Sequence, residues 1–241
     1  MANDKIVLIP TYNESDTIAD LVSRILELCP DTDILIIDDN SPDGTGRIAD
    51  ELASGDSRII CLHRPRKEGL GPAYVEGFKK ALEGRYRYIA HMDADFSHDP
   101  KHLPEFFEAI KDCDLVIGSR YAPGGGTRNW GIVRRILSRF GSLYARTILG
   151  LRINDMTGGF KCYRREVMES IGIETLTSKG YAFLIEMTYR TYRKGFRIKE
   201  IFIRPSSVKK SRFSYLNIPR MFSSIIFMAV MLKFFPDRRN S

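Results

Sequence analysis

The sequence predicts an α/β fold, a mostly parallel sheet flanked by helices, and three observations carry that expectation. Short apolar runs alternate with stretches of helical periodicity five times within about the first 120 residues. The connections between them are short, as right-handed crossovers between parallel strands require. Acidic residues and one arginine follow the apolar runs directly, which gathers them at the carboxyl edge of such a sheet, where ligands bind. The expected organisation is one domain over residues 1–214 and an apolar C-terminal helix within 215–241.

The elements follow in order. Lys5–Ile9 is an apolar run closed by Pro10-Thr11-Tyr12-Asn13-Glu14-Ser15; proline lacks the N–H that a central strand uses, and Asn13 or Ser15 suits a helix cap. From Thr17 to Leu28, the residues Ile18, Leu21, Val22, Ile25 and Leu26 form a helical face. Asp33–Ile37 is uniformly apolar, as a strand buried on both faces is, and runs into Asp38-Asp39-Asn40-Ser41-Pro42-Asp43-Gly44-Thr45. A helix to about Leu52, a strand Ile59–Leu62, a loop Arg64–Gly71 and a helix Pro72–Leu82 precede a strand Tyr86–Met92. A helix Pro100–Lys111 and a strand Leu115–Gly118 follow, the strand ending in Ser119-Arg120-Tyr121. Pro123-Gly124-Gly125-Gly126-Thr127 reads as a flexible loop, and Trp130–Leu149 as a helix bearing Arg134, Arg135, Arg139 and Arg146. Asn154–Phe160 is a tight turn with adjacent glycines, followed by helices Arg164–Ser170 and Ala182–Lys194 and a strand Arg197–Ile203.

The tail Met221–Phe235 is apolar apart from Ser223, Ser224 and Lys233. As a helix it reaches about 22 Å, short of roughly 30 Å of hydrocarbon. With Arg220, Lys233, Arg238 and Arg239 around it, it is expected to lie in a membrane interface; docking on the domain or on an anchoring subunit is the alternative.

A hydrophobic fraction of 43% and a charged fraction of 28% are those of a soluble globular protein. The net charge of +7 suits anionic partners: nucleotide diphosphates, lipid phosphates or a membrane surface. Nucleic acid is not an expected partner, because no paired Cys/His or RNP-like stretch is present. Cys29, Cys61, Cys113 and Cys162 lack metal-ligand spacing and read as reduced thiols of the cytoplasm. The start at Met1 runs straight into a strand, so no signal peptide is expected.

The chemistry centres on Met92-Asp93-Ala94-Asp95. Carboxylates two residues apart at a strand exit share a side and repel unless a cation separates them. A hard divalent ion, Mg²⁺ or Mn²⁺, fits oxygen ligands with no cysteine nearby. A solvated acidic turn is the bland alternative for so short a motif. Nucleotide-sugar transfer needs such a cation against the departing diphosphate, carboxylates such as Glu14 and Asp39 for base and ribose, and cations such as Arg120, Arg134 and Arg212 for an acceptor phosphate. His91 and His98 flank the acidic pair and read as packing or supporting groups. His98 and His102 have zinc-like spacing, but Pro100 intervenes and no third ligand is evident. Gly69-Leu70-Gly71 lacks a full dinucleotide fingerprint and reads as a mobile turn.

Taken together, Pro10-Thr11-Tyr12-Asn13-Glu14, Ile37 to Thr45, Gly69-Leu70-Gly71, Met92 to His98, Gly118-Ser119-Arg120-Tyr121 and Asp155-Met156-Thr157-Gly158-Gly159-Phe160 resemble the dolichol-phosphate (polyprenol-phosphate) mannose synthases of glycosyltransferase family 2 over about residues 5–214. The resemblance implies a single catalytic domain of GT-A fold on the cytoplasmic face of a membrane. It implies inverting transfer of mannose from GDP-mannose to dolichyl or polyprenyl phosphate. Pro10, Tyr12, Glu14, Ile37, Asp39, Asp93, Ala94, Asp95, Arg120 and Arg212 would then hold the nucleotide sugar. Asp93, Asp95 and Ser97 would be metal ligands, and Arg120, Arg134 and Ser138 would engage lipid phosphate, with Asp95, Arg120 and Arg134 catalytic. One departure is plain: the family's Arg-x-x-Gly-x-Ser-Lys is here Ser206-Ser207-Val208-Lys209-Lys210-Ser211-Arg212, so Arg212 stands for the lysine and the arginine is absent unless Arg204 or Lys209 replaces it. The same fold with UDP-glucose as donor is the near alternative. A non-catalytic membrane adaptor is the distant one, against which the intact Asp93, Asp95 and Arg120 argue.

Overall fold

The computed structural model describes residues 3–122, 132–176, 178, 180–204, 226, 230 and 233, the side chains of 132–138 and 181 excepted. In chain order the elements are β1 Lys5–Thr11, α1 Ile18–Leu28, β2 Thr32–Asp38, α2 Thr45–Gly55, β3 Ile59–His63, α3 Leu70–Glu83, β4 Tyr88–His91, α4 Leu103–Ala109, β5 Leu115–Ser119, α5 Ile132–Leu149, β6 Lys161–Arg164, α6 Arg165–Ser170, α7 Tyr181–Arg193 and β7 Ile198–Phe202. Among the described residues the strands form one seven-stranded sheet in the order β3-β2-β1-β4-β6-β5-β7. β1 pairs in parallel with β2 and β4, β2 with β3, and β5 with β7; only β6 runs antiparallel, between β4 and β5. The mostly parallel α/β sheet is as the sequence predicts.

Period-2 alternation splits the core into two layers. Leu8, Leu35, Ile37 and Ile89 face Tyr74 and Phe78 of α3 and Phe183 of α7. Val7, Ile9, Ile34 and Ile36 face Ile18, Leu21, Val22 and Ile25 of α1 with Leu103 and Phe106 of α4. Because helices cover both faces, the central strands read as unbroken apolar runs rather than alternating ones.

Four expectations need correction. Pro10 does not end β1, which continues to Thr11 in register with Asp38. Successive residues of a strand direct their backbone groups to opposite sides, so residues two apart share a side, and Leu8, two residues before, accepts from Met92 N on the β4 side. Pro10 therefore turns its missing N–H toward β4, which has already ended at His91. Neither Asn13 nor Ser15 caps α1; Thr17 is the cap residue, and its hydroxyl bonds Glu14 O at 3.1 Å. Strand β6, antiparallel and four residues long, was not expected at all. Gly69-Leu70-Gly71 is not a mobile turn: Gly69 has φ 104°, and Gly71 is buried in the first turn of α3.

Of the expected interfacial tail only residues 226, 230 and 233 are described, and Pro123–Thr127 and the basic stretch 205–212 lie outside the described residues. Among the described residues no helix is long and apolar enough to cross a membrane.

A Cβ at Gly71 would stand 2.5 Å from the Ser178 carbonyl oxygen and 3.2 Å from the Phe183 ring. Backbone cannot yield as a side-chain tip can, so Gly71→Ala should cost about 1–3 kcal/mol, in the overpacking range. Urea unfolding followed by circular dichroism measures this, and an unchanged midpoint would refute the packing argument.

Candidate active site

The carboxyl edge of the sheet is assembled from the ends of β1, β2, β4 and β5. At the end of β1, the loop is clamped to the loop after β2 by side chain–backbone bonds. Asn13 N donates to Ser41 Oγ at 3.1 Å, Glu14 N to Thr45 Oγ1 at 2.9 Å and Ser15 N to Asp43 Oδ2 at 3.1 Å. Asp38 accepts from Thr11 Oγ1 at 3.2 Å, Ser41 N at 3.1 Å and Ser41 Oγ at 2.5 Å. Loss of water pushes the Asp43 carboxyl upward, but hydrogen bonds from Thr45 and Ser15 outweigh it and bring the group down to about 2.

Asp39 ends in the same region, buried and paired with the guanidinium of Arg64. Arg64, only 2% exposed, also reaches Glu68 and Glu76, each at 3.0 Å. Burial raises the Asp39 carboxyl above its ordinary value, Arg64 opposes that, and neighbouring Asp38 adds to it. Tyr12 carries the ammonium of Lys67 over its ring, 3.6 Å from the centroid.

The acidic pair leaves β4 through a turn in which Phe96 has φ 58°. Asp95 Oδ1 accepts from Ser97 N at 2.9 Å, so the turn holds that carboxylate. Asp93 N donates to His98 Nδ1 at 3.0 Å. Asp93 Oδ2 lies 3.7 Å from the same nitrogen. His98 is buried and stacks on Phe160 at 5.2 Å. Gly159 completes this corner; a Cβ there would meet His98 Cε1 at 3.2 Å and the Asp93 carboxylate oxygens at 3.6 and 3.8 Å. Surrounding protein raises the Asp93 carboxyl, His98 opposes the shift, Asp95 adds to it, and Arg120 lowers it. His91 packs as expected, fully buried, with ring centroids 4.4 Å from Tyr74 and 5.8 Å from Phe78 and Tyr163.

At the end of β5, Arg120 is locked by Asp155: Nε and Nη2 reach the two carboxylate oxygens at 2.6 and 2.7 Å, and Nη2 also reaches Thr157 Oγ1 at 3.0 Å. Asp155 is fully buried. Burial raises its carboxyl, yet the charge and hydrogen bonds of Arg120 prevail and hold it below the ordinary value. Glu200 of β7 fixes the loop carrying it, accepting at 2.9 Å from Asn154 N, Asn154 Nδ2 and Asp155 N. Lys161, also fully buried, donates to Leu184 O at 2.9 Å and Thr188 Oγ1 at 2.7 Å, and burial pushes its amine down to about 7.

The structure thus brings Tyr12, Glu14, Asp39, Asp93, Asp95, Ser97 and Arg120 to one edge. Ile37 and Ala94 are buried and Pro10 lies within β1. Arg134 and Ser138 lie on α5 with side chains outside the described residues, as does Arg212 entirely. Arg64, Lys161 and Glu200 were not singled out as site residues, and Asp155 only as part of a motif. Apart from the Arg64 contacts with Glu68 and Glu76, their partners stand 23 to 46 residues away, beyond any local pattern.

Comparison with known proteins agrees with this architecture. A profile of Glycosyl transferase family 2 matches residues 6–172. The undecaprenyl-phosphate mannosyltransferase of Micrococcus luteus is 45% identical over 196 residues, 81% of each chain. The polyprenol monophosphomannose synthase of Mycolicibacterium smegmatis is 46% identical over 198 residues, 81% of this chain and 75% of that one. Glucosyl-3-phosphoglycerate synthase from Mycobacterium tuberculosis, in complex with phosphoglyceric acid, has a TM-score of 0.74 at 18% identity, over 98% of this chain and 82% of that one. Its complex with Mn²⁺, UDP and glucosyl-3-phosphoglycerate gives 0.71 at 19% identity, over 96% and 80%. At such identity the likeness concerns the fold.

Two outcomes follow from the buried charges. Asp155→Asn leaves Arg120 without its counter-charge, which should cost about 3–5 kcal/mol in unfolding free energy; a loss below 1 kcal/mol would deny the pair its structural role. Lys161 loses its proton in the fold as pH rises through about 7 but keeps it when unfolded up to about pH 10. The unfolded chain then binds the extra proton, so stability rises with pH above about 7. Between pH 6.5 and 8.5 wild type should show a steeper rise than Lys161→Met; equal slopes would remove Lys161 as its source.

Proposed function

The chain belongs to glycosyl transferase family 2, and from that premise we propose that it transfers mannose from GDP-mannose to a polyprenyl (dolichyl-type) phosphate. Its fold is of the GT-A type, an α/β sheet flanked by helices. The observation that carries the reading is the pair Asp93 and Asp95 at the carboxyl edge, beside the Arg120–Asp155 clamp, in a chain about 45% identical to polyprenyl-phosphate mannosyltransferases.

The donor set fits a hard divalent cation, Mg²⁺ or Mn²⁺. Asp93 and Asp95 offer oxygens, with Ser97 beside them, and the one imidazole nitrogen turned toward Asp93 is already an acceptor for backbone. Burial raises the Asp93 carboxyl and the like charge of Asp95 adds to the shift, and a cation between the two carboxylates relieves both. When bound, such an ion supplies positive charge against the departing diphosphate. Tyr12, Glu14 and Asp39 hold the nucleoside end, with Asp39 kept in place by Arg64. Arg120 is oriented by Asp155 so that its planar guanidinium presents a fixed cationic edge to phosphate. The attacking phosphate, with a second pKa near 6, is already largely anionic at neutral pH, so no strong general base is needed. Accordingly no histidine is given that role. Arg134 and Ser138 supply further lipid-phosphate contacts and Arg212 a nucleotide-sugar contact. The reaction takes place at the cytoplasmic face of a membrane, held there by residues 215–241 or by an anchoring subunit, with residues 1–214 as the catalytic domain. The Gly159 cradle against Asp93 supports a site shaped to exclude side-chain bulk at the reacting end.

Transfer of radiolabelled sugar to polyprenyl phosphate, from GDP-mannose and UDP-glucose separately, with and without Mg²⁺ or Mn²⁺, tests the reading. Metal-dependent mannosyl lipid is expected, and glucosyl lipid alone would overturn the donor. Asp95→Ala should reduce transfer by at least about a hundredfold, the scale of losing one electrostatic stabiliser, with unchanged circular dichroism; wild-type turnover by that variant would sink the metal assignment.

A further inference from the structure

On the far side of β2 from β1, the edge strand β3 carries Cys61 and His63, two residues apart and so on one face of the strand. Helix α2 covers that face and presents Asp50. His63 Nε2 lies 2.8 Å from Asp50 Oδ1 and 3.4 Å from Cys61 Sγ, and the three ligand atoms all fall within 4.8 Å of one another. We propose that Asp50, Cys61 and His63 form a second cation site, selective for a thiophilic divalent ion of the Zn²⁺ class and separate from the oxygen site at Asp93 and Asp95.

Geometry supports the assignment. Tetrahedral zinc with bonds of roughly 2.0–2.3 Å places nitrogen and oxygen ligands about 3.3 Å apart, and nitrogen and sulfur about 3.6 Å apart. The observed 2.8 Å and 3.4 Å are shorter than these by about 0.5 and 0.2 Å, within reach of small rotations of an exposed aspartate. The His63 ring is already oriented: it lies over Gly46 in the first turn of α2, where a Cβ would stand 3.3 Å from His63 Cε1. The side chains of His63 and Asp50 are 51% and 57% exposed, so a fourth position is open to water or an exogenous ligand.

Chemistry separates the two sites. Thiolate and imidazole favour Zn²⁺ or Co²⁺, whereas Mg²⁺ and Mn²⁺ prefer the all-oxygen pair. Occupancy would tie α2 to the sheet edge, and His63 is in register with Asp38, which clamps the β1 and β2 loops. A cation here therefore bears on the nucleoside end without touching the reacting atoms.

Titration of the full chain with Co²⁺ tests this, because thiolate-to-cobalt charge transfer in the near ultraviolet reports sulfur ligation and cannot arise from carboxylates. Cys29, Cys113 and Cys162 are buried, leaving Cys61 as the accessible thiol. Wild type should develop the band at one equivalent, lose it to Zn²⁺ and keep it in excess Mg²⁺. Cys61→Ser should abolish it, and His63→Ala and Asp50→Asn should each weaken affinity at least about tenfold, with circular dichroism unchanged. Absence of the band, or its survival in Cys61→Ser, would overturn the site. Neither result depends on mannosyl transfer, which is assayed apart.

Discussion

Like-charge crowding at one sheet edge is the constraint on which this structure turns. Asp38, Asp39, Asp43, Asp93, Asp95 and Asp155 all converge there, and unit charges a few ångströms apart repel by several kcal/mol in a partly buried setting. Most are compensated within the chain. Hydroxyls and amides of Thr11 and Ser41 take Asp38, those of Ser15 and Thr45 take Asp43, Arg64 takes Asp39, and Arg120 takes Asp155. The same bonds sew the loops together, so compensation and architecture are one process. Burial keeps the carboxyls of both Asp39 and Asp93 raised, but Asp39 is held by the Arg64 guanidinium, whereas at Asp93 the like charge of Asp95 adds to the shift.

Arg120 shows how far such compensation reaches. Its bidentate contact with Asp155 uses the planar fork that lysine lacks. Asp155 in turn depends on Glu200, which accepts from the backbone of its loop. A chain of charge-assisted bonds thus runs from β7 at the sheet margin to the end of β5. The buried carboxylate behind the guanidinium fixes its orientation at the end of β5.

Legibility in the sequence followed the range of each interaction. Helices α1 and α4 and strands β1 to β5 announce themselves by local periodicity, and Asp-x-Asp by its spacing at a strand exit. Strand β6 does not, because Lys161 and Arg164 bound it and a buried lysine looks like a solvated one until Leu184 and Thr188 are seen to satisfy it. Arg64 reads as an ordinary loop cation, since Asp39 and Glu76 become its partners only through folding. Pro10 was misjudged for a similar reason. Its tolerance depends on where β4 stops, which no property of β1 encodes.

The one antiparallel strand among the described residues brings the loop before it to the carboxyl edge. In a wholly parallel sheet, a loop that precedes a strand lies at the amino edge, far from ligand. Because β6 is reversed, its first residue, Lys161, pairs with His91 and Ile117 at the carboxyl ends of β4 and β5. The preceding loop is therefore delivered to the carboxyl edge, where Asp155 meets Arg120 and Gly159 lies against Asp93 and His98. The two glycines suit this entry: a Cβ at Gly158 would stand 3.1 Å from the Gly118 carbonyl oxygen, and one at Gly159 would crowd the acidic pair. A side chain at either position would push the loop outward and separate the arginine clamp from the carboxylates it faces. Reversal of a single short strand thus converts a connection into one wall of the site.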